Sequence, residues 1–287
     1  MSEQWELAEQ PKVTIGKYAL RIKRKLGEGG FAYIYAAEDT SNGQELCLKK
    51  MHVQTPEARA LAQREIDLMR SFSHPNLLSA LDAEIHNSLA YIIMELCPGG
   101  HLLARMQRLQ AAGKTLPEPE ILKILGDVTR GLVYLHGMGI AHRDIKLENC
   151  LIAADGSCRL CDFGSAVRGP VSLESAAQRA NEAEVIERTT TQQFRAPEMA
   201  DLFVARELGT AVDVWALGCV AYTLAYLRHP FPSDSNLAII NARIVFPTAP
   251  PLSDDFKALV ARMLVADPAA RASAADALSC IAAMEAG

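Results

Sequence analysis

Asp144, Lys146, Asn149 and Asp162 stand in one stretch of the chain: two acids, a cation and an amide that could all act on one phosphate chain. Asn149 and Asp162 are oxygen donors, and hard Mg2+ prefers oxygen. For those two to meet, the chain between them must double back. Residues 150–152 (Cys-Leu-Ile) and 159–161 (Arg-Leu-Cys) are short strand-like runs, and Ala154-Asp155-Gly156-Ser157 between them is turn chemistry. The spacing predicts a hairpin that leaves at Asn149 and returns at Asp162.

The chain that must position them has 287 residues, 49% of them hydrophobic, enough for one large domain or two modest lobes. A net charge of −5 gives no electrostatic footprint for nucleic acid or an anionic membrane. The seven cysteines are odd in number and scattered, which fits free thiols in a reducing compartment and predicts a cytoplasmic protein. Cys158 and Cys161 have no second pair, and their odd separation on a strand points the thiols to opposite faces, so a metal site is not expected there. The longest apolar run, 214–227, is too short to span a bilayer and reads as a buried helix.

The pattern along the chain is α+β, strands first and helices after. Residues 1–17 are polar and read as an extension. A strand begins at 18–25 and leads into a turn with Gly27, Gly29 and Gly30. Those glycines let the backbone lie close over a ligand, with N–H groups facing phosphates. Residues 45–51 alternate, with Cys47, Lys49 and Met51 on one face and Leu46 and Leu48 on the other. Thr55-Pro56-Glu57 opens a helix to about residue 71. Its apolar stripe holds Leu61, Leu68, Met69 and Phe72, and Glu65 falls inside it. A carboxylate on a core-facing stripe needs a cation, and Lys49 is the natural candidate. Further strands are expected at 77–82 and 90–96. Cys97-Pro98-Gly99-Gly100 breaks the regular structure, and composition changes there from strands to helices. Helices are expected at 102–112 and 118–138, and in part of 172–187.

His142-Arg143-Asp144-x-Lys146-x-x-Asn149, followed by Asp162-Phe163-Gly164, resembles the catalytic and metal loops of eukaryotic protein kinases. Ala196-Pro197-Glu198 resembles the box that closes their activation segment. The resemblance covers residues 18–280. It implies a bilobal fold: a 1–17 extension, an N-lobe of antiparallel sheet plus one key helix (18–96), a hinge (97–101) and a helical C-lobe (102–287).

The resemblance also implies ATP and Mg2+ as cofactors, and roles for named residues. Asp144 would orient the substrate hydroxyl and accept its proton, and Lys146 would neutralise the moving phosphate. Asn149 and Asp162 would hold metal. Lys49, fixed by Glu65, would hold the α- and β-phosphates beneath Gly27, Gly29 and Gly30. Leu26, Ile34, Cys47 and Leu151 would enclose adenine, with Met94 as gatekeeper and backbone groups of Glu95 and Cys97 bonding the base. Thr191 would contact Asp144 and Lys146, the serine/threonine pattern. Asp213 would anchor the catalytic-loop backbone and Arg271 would pair with Glu198; beside Asp144, Arg143 could pair with a phosphothreonine in the long loop, at Thr189 or Thr190.

Gly-Glu-Gly-Gly-Phe-Ala at 27–32, Leu-Cys-Asp-Phe-Gly-Ser-Ala at 160–166, the Thr-rich run into 195–199, and Trp-Ala-Leu-Gly-Cys at 215–219 are similar to the Numb-associated kinases. That family carries an extra helix after the Ala-Pro-Glu box, where this chain has the insert 200–210. It implies threonines on trafficking or clathrin-adaptor proteins as substrates, endomembrane or clathrin-adaptor partners, and peripheral contact with vesicles through them. A pseudokinase that binds ATP as a scaffold is the competing reading. It is disfavoured because no catalytic residue is missing.

Overall fold

The structure is a computed structural model and describes residues 12–29, 32–231 and 236–286. The chain divides into two compact units. One runs to Ser73 and includes Leu78–Pro98; the other comprises His74–Leu77 and the chain from Gly99 onward.

The first unit is an antiparallel sheet with one helix. Its strands are β1 (Lys12–Ile15), β2 (Tyr18–Gly29), β3 (Ala32–Asp39), β4 (Glu45–His52), β5 (Asp82–His86) and β6 (Leu89–Glu95), in the order β1-β2-β3-β4-β6-β5. The alternation of β4 holds: Leu46 and Leu48 enter a core cluster with Ile15, Leu20, Ala37 and Ile93. Cys47 and Lys49 take the opposite face, where Cys47 faces Met94 and Lys49 faces Ile34 and Ile92 in register.

Two expectations change here. Residues 12–15, assigned to an extension, form β1, which pairs with β2 and buries Ile15. Two apolar residues in four are too few to register as a period. The strand expected at 77–82 begins only at Asp82. Asn76 accepts from Leu160 N–H (2.9 Å) and donates to Cys158 O (3.0 Å), which holds 76–77 to the second unit.

Helix α1 (Pro56–Ser71) starts as predicted. Thr55 caps it by accepting from Ala58 N–H at 3.1 Å, and Pro56 opens it. Its buried stripe is Ala62, Glu65, Ile66 and Met69, one step round from the predicted one, so Leu61 is 37% exposed. Glu65 is inside the stripe as expected.

The second unit is mainly helical. It contains α2 (Leu102–Ala111) and α3 (Glu118–Gly137). The small strands β7 (Ile140–Ala141), β8 (Cys150–Ile152), β9 (Cys158–Leu160), β10 (Val167–Arg168) and β11 (Val171–Ser172) follow. After them come α4 (Ala176–Thr189), α5 (Pro197–Ala200), β12 (Glu207–Leu208), α6 (Ala211–Tyr226), α7 (Asn236–Asn241), α8 (Asp254–Met263) and α9 (Ala274–Ala286). Ile121, Leu125, Val128, Leu132 and Leu135 form the buried face of α3, and α6 is buried along nearly its whole length. No helix among the described residues is long and apolar enough to cross a membrane.

The β8–β9 hairpin forms in the predicted place, with Cys150 opposite Leu160 and Ile152 opposite Cys158. The extra helix expected within 200–210 is absent. That segment turns at Asp201, whose carboxylate accepts from Phe203 N–H (3.0 Å), and then extends as β12 against β11. The additional helix lies before the Ala-Pro-Glu box instead. It is α4, opened by a reciprocal capping box between Ser175 and Gln178.

Candidate active site

In the first unit, Lys49 Nζ donates to Glu65 Oε1 at 2.7 Å, joining β4 to α1. Both ends are largely shielded from water, where an ion pair fixes geometry more than it adds stability. Ile34, Cys47 and Met94 lie in register on the Lys49 side of the sheet. Burial pushes the Cys47 thiol up to about 11 against the opposing charge of Lys49, so it is an apolar wall here and not a nucleophile. Leu26 is exposed, Glu95 is half-buried and Cys97 is buried. Gly27 pairs with Ile34 and Gly29 with Ala32. A Cβ added at either glycine would meet nothing within 4 Å, so the packing of the chain itself does not require glycine there. Gly30 lies outside the described residues.

In the second unit the catalytic-loop residues converge. Asp144 Oδ1 accepts from Thr191 N–H (3.1 Å) and from Thr191 Oγ1 (2.8 Å). Its Oδ2 accepts from Asn149 Nδ2 (3.0 Å) and from Lys146 Nζ (2.8 Å). Lys146 Nζ also donates to Thr191 Oγ1 at 2.8 Å. Four donors on one buried carboxylate fix its plane.

Asn149 spends its Nδ2 on the carboxylate and the main-chain oxygen of Asp144, so its Oδ1 is the end left to face a cation. Across the hairpin, Cys161 N–H donates to Asn149 O at 3.0 Å, and Asp162 follows, exposed and with φ +64°. Leu151, on β8, is half-buried.

The backbone under this group hangs on one acid. Asp213, fully buried in the first turn of α6, accepts from His142 N–H (2.8 Å) and Arg143 N–H (2.7 Å) and bonds His136 Nε2 (2.9 Å). Burial alone would raise its pKa. The His136 bond, the neighbouring His136 and His142 rings, and the Arg143 amide outweigh that and leave the carboxyl below its ordinary value. The amide clamp also holds Arg143 at φ +70°, a conformation costly for any residue but glycine. His142 Nδ1 faces Asp144 N–H, so its Nε2 carries the proton toward Cys161 O (3.1 Å), which ties catalytic loop to hairpin.

The protein kinase domain family matches residues 20–280. The chain belongs to the protein kinase family. It is 33% identical to a probable serine/threonine-protein kinase of Dictyostelium discoideum, over 88% of this chain and 23% of that protein. It is 34% identical to actin-regulating kinase 1 of Saccharomyces cerevisiae (90% and 42%). It is 35% identical to serine/threonine-protein kinase ppk30 of Schizosaccharomyces pombe (91% and 28%). The chain thus spans less than half the length of these relatives. The actin-regulating kinases belong to the Numb-associated family that the motifs resemble.

Kinase landmarks outside the loop are also in place. Arg271 grips Glu198 of the Ala-Pro-Glu box with both nitrogens, Nη1 at 2.7 Å and Nη2 at 2.8 Å, and lies over the Trp215 ring. Sequence reasoning missed four supporting residues. His136 holds Asp213. Asp127 accepts from Cys158 N–H (2.9 Å) and steadies the hairpin. Arg195 bonds the C-terminal end of α4 at Ile186 O and Thr190 O. Glu182, on α4, is the partner of Arg143. The expected phosphothreonine partner of Arg143 is not tested by a chain that carries no phosphate, and Glu182 takes the guanidinium here. Thr189 and Thr190 donate their hydroxyls to Val185 O and Ile186 O within α4. The only local signal for Glu182 is its four-residue spacing from Ile186 in an otherwise polar helix.

Proposed function

We propose that this kinase domain transfers the γ-phosphate of ATP to serine or threonine hydroxyls of a protein, with Asp144 as the group that orients and deprotonates the hydroxyl. The observation that carries the reading is the convergence of Lys146, Asn149 and Thr191 on the Asp144 carboxylate. Phosphoryl transfer asks for positioning and charge stabilisation more than covalent chemistry. Asp144 is held in place by its donors, and Lys146 beside it would offset charge on the transferring group. Lys49, held by Glu65, would bind the α- and β-phosphates. Gly27 and Gly29 offer bare backbone for close approach to them, and Gly30 would join them. Ile34, Cys47, Met94 and Leu26 would offer the apolar contacts an adenine ring needs, with Glu95 and Cys97 main-chain groups for its edge.

Mg2+ fits the donor set. Asn149 and Asp162 supply hard oxygens, and two protein ligands suffice for an ion that takes its remaining ligands from water and phosphate. When bound, the ion would neutralise phosphate charge. Among the described residues there is no cluster of three or more His, Cys, Asp or Glu that would suit a different metal.

The Numb-associated resemblance and the names of the actin-regulating relatives support a substrate among trafficking, clathrin-adaptor or actin-regulatory proteins. They also support residence in the cytoplasm and vesicle contact through partners. A peptide array incubated with Mg-ATP, and in parallel with chelator, tests the reading. Incorporation should be metal-dependent and confined to Ser and Thr peptides. Labelling of Tyr peptides alone, or labelling unaffected by chelator, would refute it.

A further inference from the structure

The β8–β9 hairpin leads from Asn149 to Asp162, yet it has only two strands. A two-stranded ribbon is marginal by itself. Along β9, Cys158 and Leu160 are buried, so their outward main-chain groups need partners. Helix α3 and the turn at Asn76 supply them. Asp127 Oδ2 accepts from Cys158 N–H at 2.9 Å. Asn76 Nδ2 donates to Cys158 O at 3.0 Å, and Asn76 O accepts from Leu160 N–H at 2.9 Å. One turn earlier on α3, Lys123 Nζ donates to Gly156 O at 2.9 Å. One turn later, Gly131 lets the helix come close, since a Cβ there would lie 3.0 Å from Leu77 Cδ2 and 3.4 Å from Leu160 Cδ1.

These contacts share a register. Residues 123, 127 and 131 step by four along α3 while 156, 158 and 160 step by two along the hairpin. Four helical residues rise about 6 Å and two strand residues about 6.6 Å, so helix and strand stay in step. The next step along the strand direction is Asp162. Asn149 is held from the catalytic loop by Asp144, whereas Asp162 takes its place from the end of β9. The Asp127 carboxylate is 6% exposed, and Arg130 Nη2 meets its other oxygen at 2.6 Å.

We propose that Asp127 is a positioning residue for Mg2+: by pinning β9 to α3 it sets where Asp162 stands relative to Asn149. The proposal rests on the reading of those two residues as the metal donors. Mg2+ demands near-ideal geometry from its ligands, so a donor that drifts binds it less tightly. The experiment compares wild type, Asp127→Ala, Asp127→Asn and Asp162→Ala. Mn2+ binding is read by electron paramagnetic resonance with protein in excess over a non-hydrolysable ATP analogue, beside melting temperature and turnover against Mg2+ concentration. Asp127→Ala should bind Mn2+ about 10-fold more weakly, the scale of losing a group that orients a metal ligand. Its turnover should be low at low Mg2+ and recover as Mg2+ rises. Asp127→Asn, whose amide oxygen still accepts from Cys158 N–H, should regain most of the Mn2+ affinity although its amide nitrogen faces Arg130 and lowers the melting temperature. A role in stability alone would lower the melting temperature of Asp127→Ala and leave Mn2+ binding at the wild-type value, which overturns the proposal. Wild-type Mn2+ binding by Asp162→Ala would instead overturn the donor assignment beneath it. If Asp127→Ala does not fold, Lys123→Met decides. It loses only the bond to the turn, so about threefold weaker Mn2+ binding supports the proposal and unchanged binding overturns it.

Discussion

Lys49 shows how one side chain can be legible in a strand and still depend on a distant helix. Its face is set by alternation within 45–51, but its tip is aimed by Glu65, 16 residues on, at 2.7 Å. Replacing Lys49 by Met removes the charge and leaves Glu65 buried without a cation. Turnover should fall by about 10²- to 10³-fold, the scale of losing one preorganised electrostatic contact. Glu65→Gln should raise KM for ATP and lower kcat less severely, since the cation remains but is free to swing. Steady-state kinetics on the two variants check the order, and equal losses would mean that Glu65 does more than aim Lys49. The Lys49–Glu65 pair was legible because each residue lies on a patterned element; the Arg143–Glu182 pair was not, since its partner lies 39 residues away on a helix and no sequence pattern carries such a pairing.

Among the elements, α6 carries the site from below. Asp213 in its first turn accepts two catalytic-loop amides, and Asn there would face one of them with an amide nitrogen. Asp213→Asn should cost about 1–3 kcal/mol, the penalty for leaving a buried donor without its acceptor. Because the native carboxyl lies below the ordinary aspartate value of 3.8, its contribution is complete above that value and is lost as pH falls through the lower native one. The stability gap between wild type and Asp213→Asn should therefore be level near neutrality and close only below 3.8. Denaturant titrations across pH measure it, and a gap that already closes near pH 6 would contradict the assignment. The Glu198–Arg271 pair is the second strut. Arg271→Ala leaves a buried carboxylate uncompensated and should cost about 3–5 kcal/mol, seen as a large drop in melting temperature. Elements with their own signals were readable: Thr55-Pro56 for α1, the Asp155-Gly156 turn for the hairpin, the all-apolar run for α6. Strand β1 was hidden by its brevity. The 77–82 run failed because burial of Leu77 and Leu78 by tertiary contacts looks the same in sequence as burial in a sheet.

For the whole molecule, each of the two units brings one finished part of the chemistry. The sheet unit holds a lysine paired to a buried carboxylate, and the helical unit holds an aimed carboxylate with oxygen donors at hand. Motif order made that division of labour readable, because each motif demands a definite local backbone: a strand for Lys49, a clamped loop for Asp144, a hairpin for Asn149 and Asp162. The helix expected in part of 172–187 formed as α4, and the one expected within 200–210 did not. Residues 176–189 and 200–210 are both compatible with helix in composition, and the choice fell to the Ser175–Gln178 capping box against the Asp201 turn and the β11–β12 pairing. None of the seven cysteines forms a disulfide. The most direct test of the central claim is Mg-ATP phosphotransfer to a Ser/Thr peptide by wild type and by Asp144→Asn, both verified as folded. Wild type should turn over and Asp144→Asn should fall by at least about 10²-fold, the lower range for losing a positioned general base. Equal rates in the two proteins would contradict it.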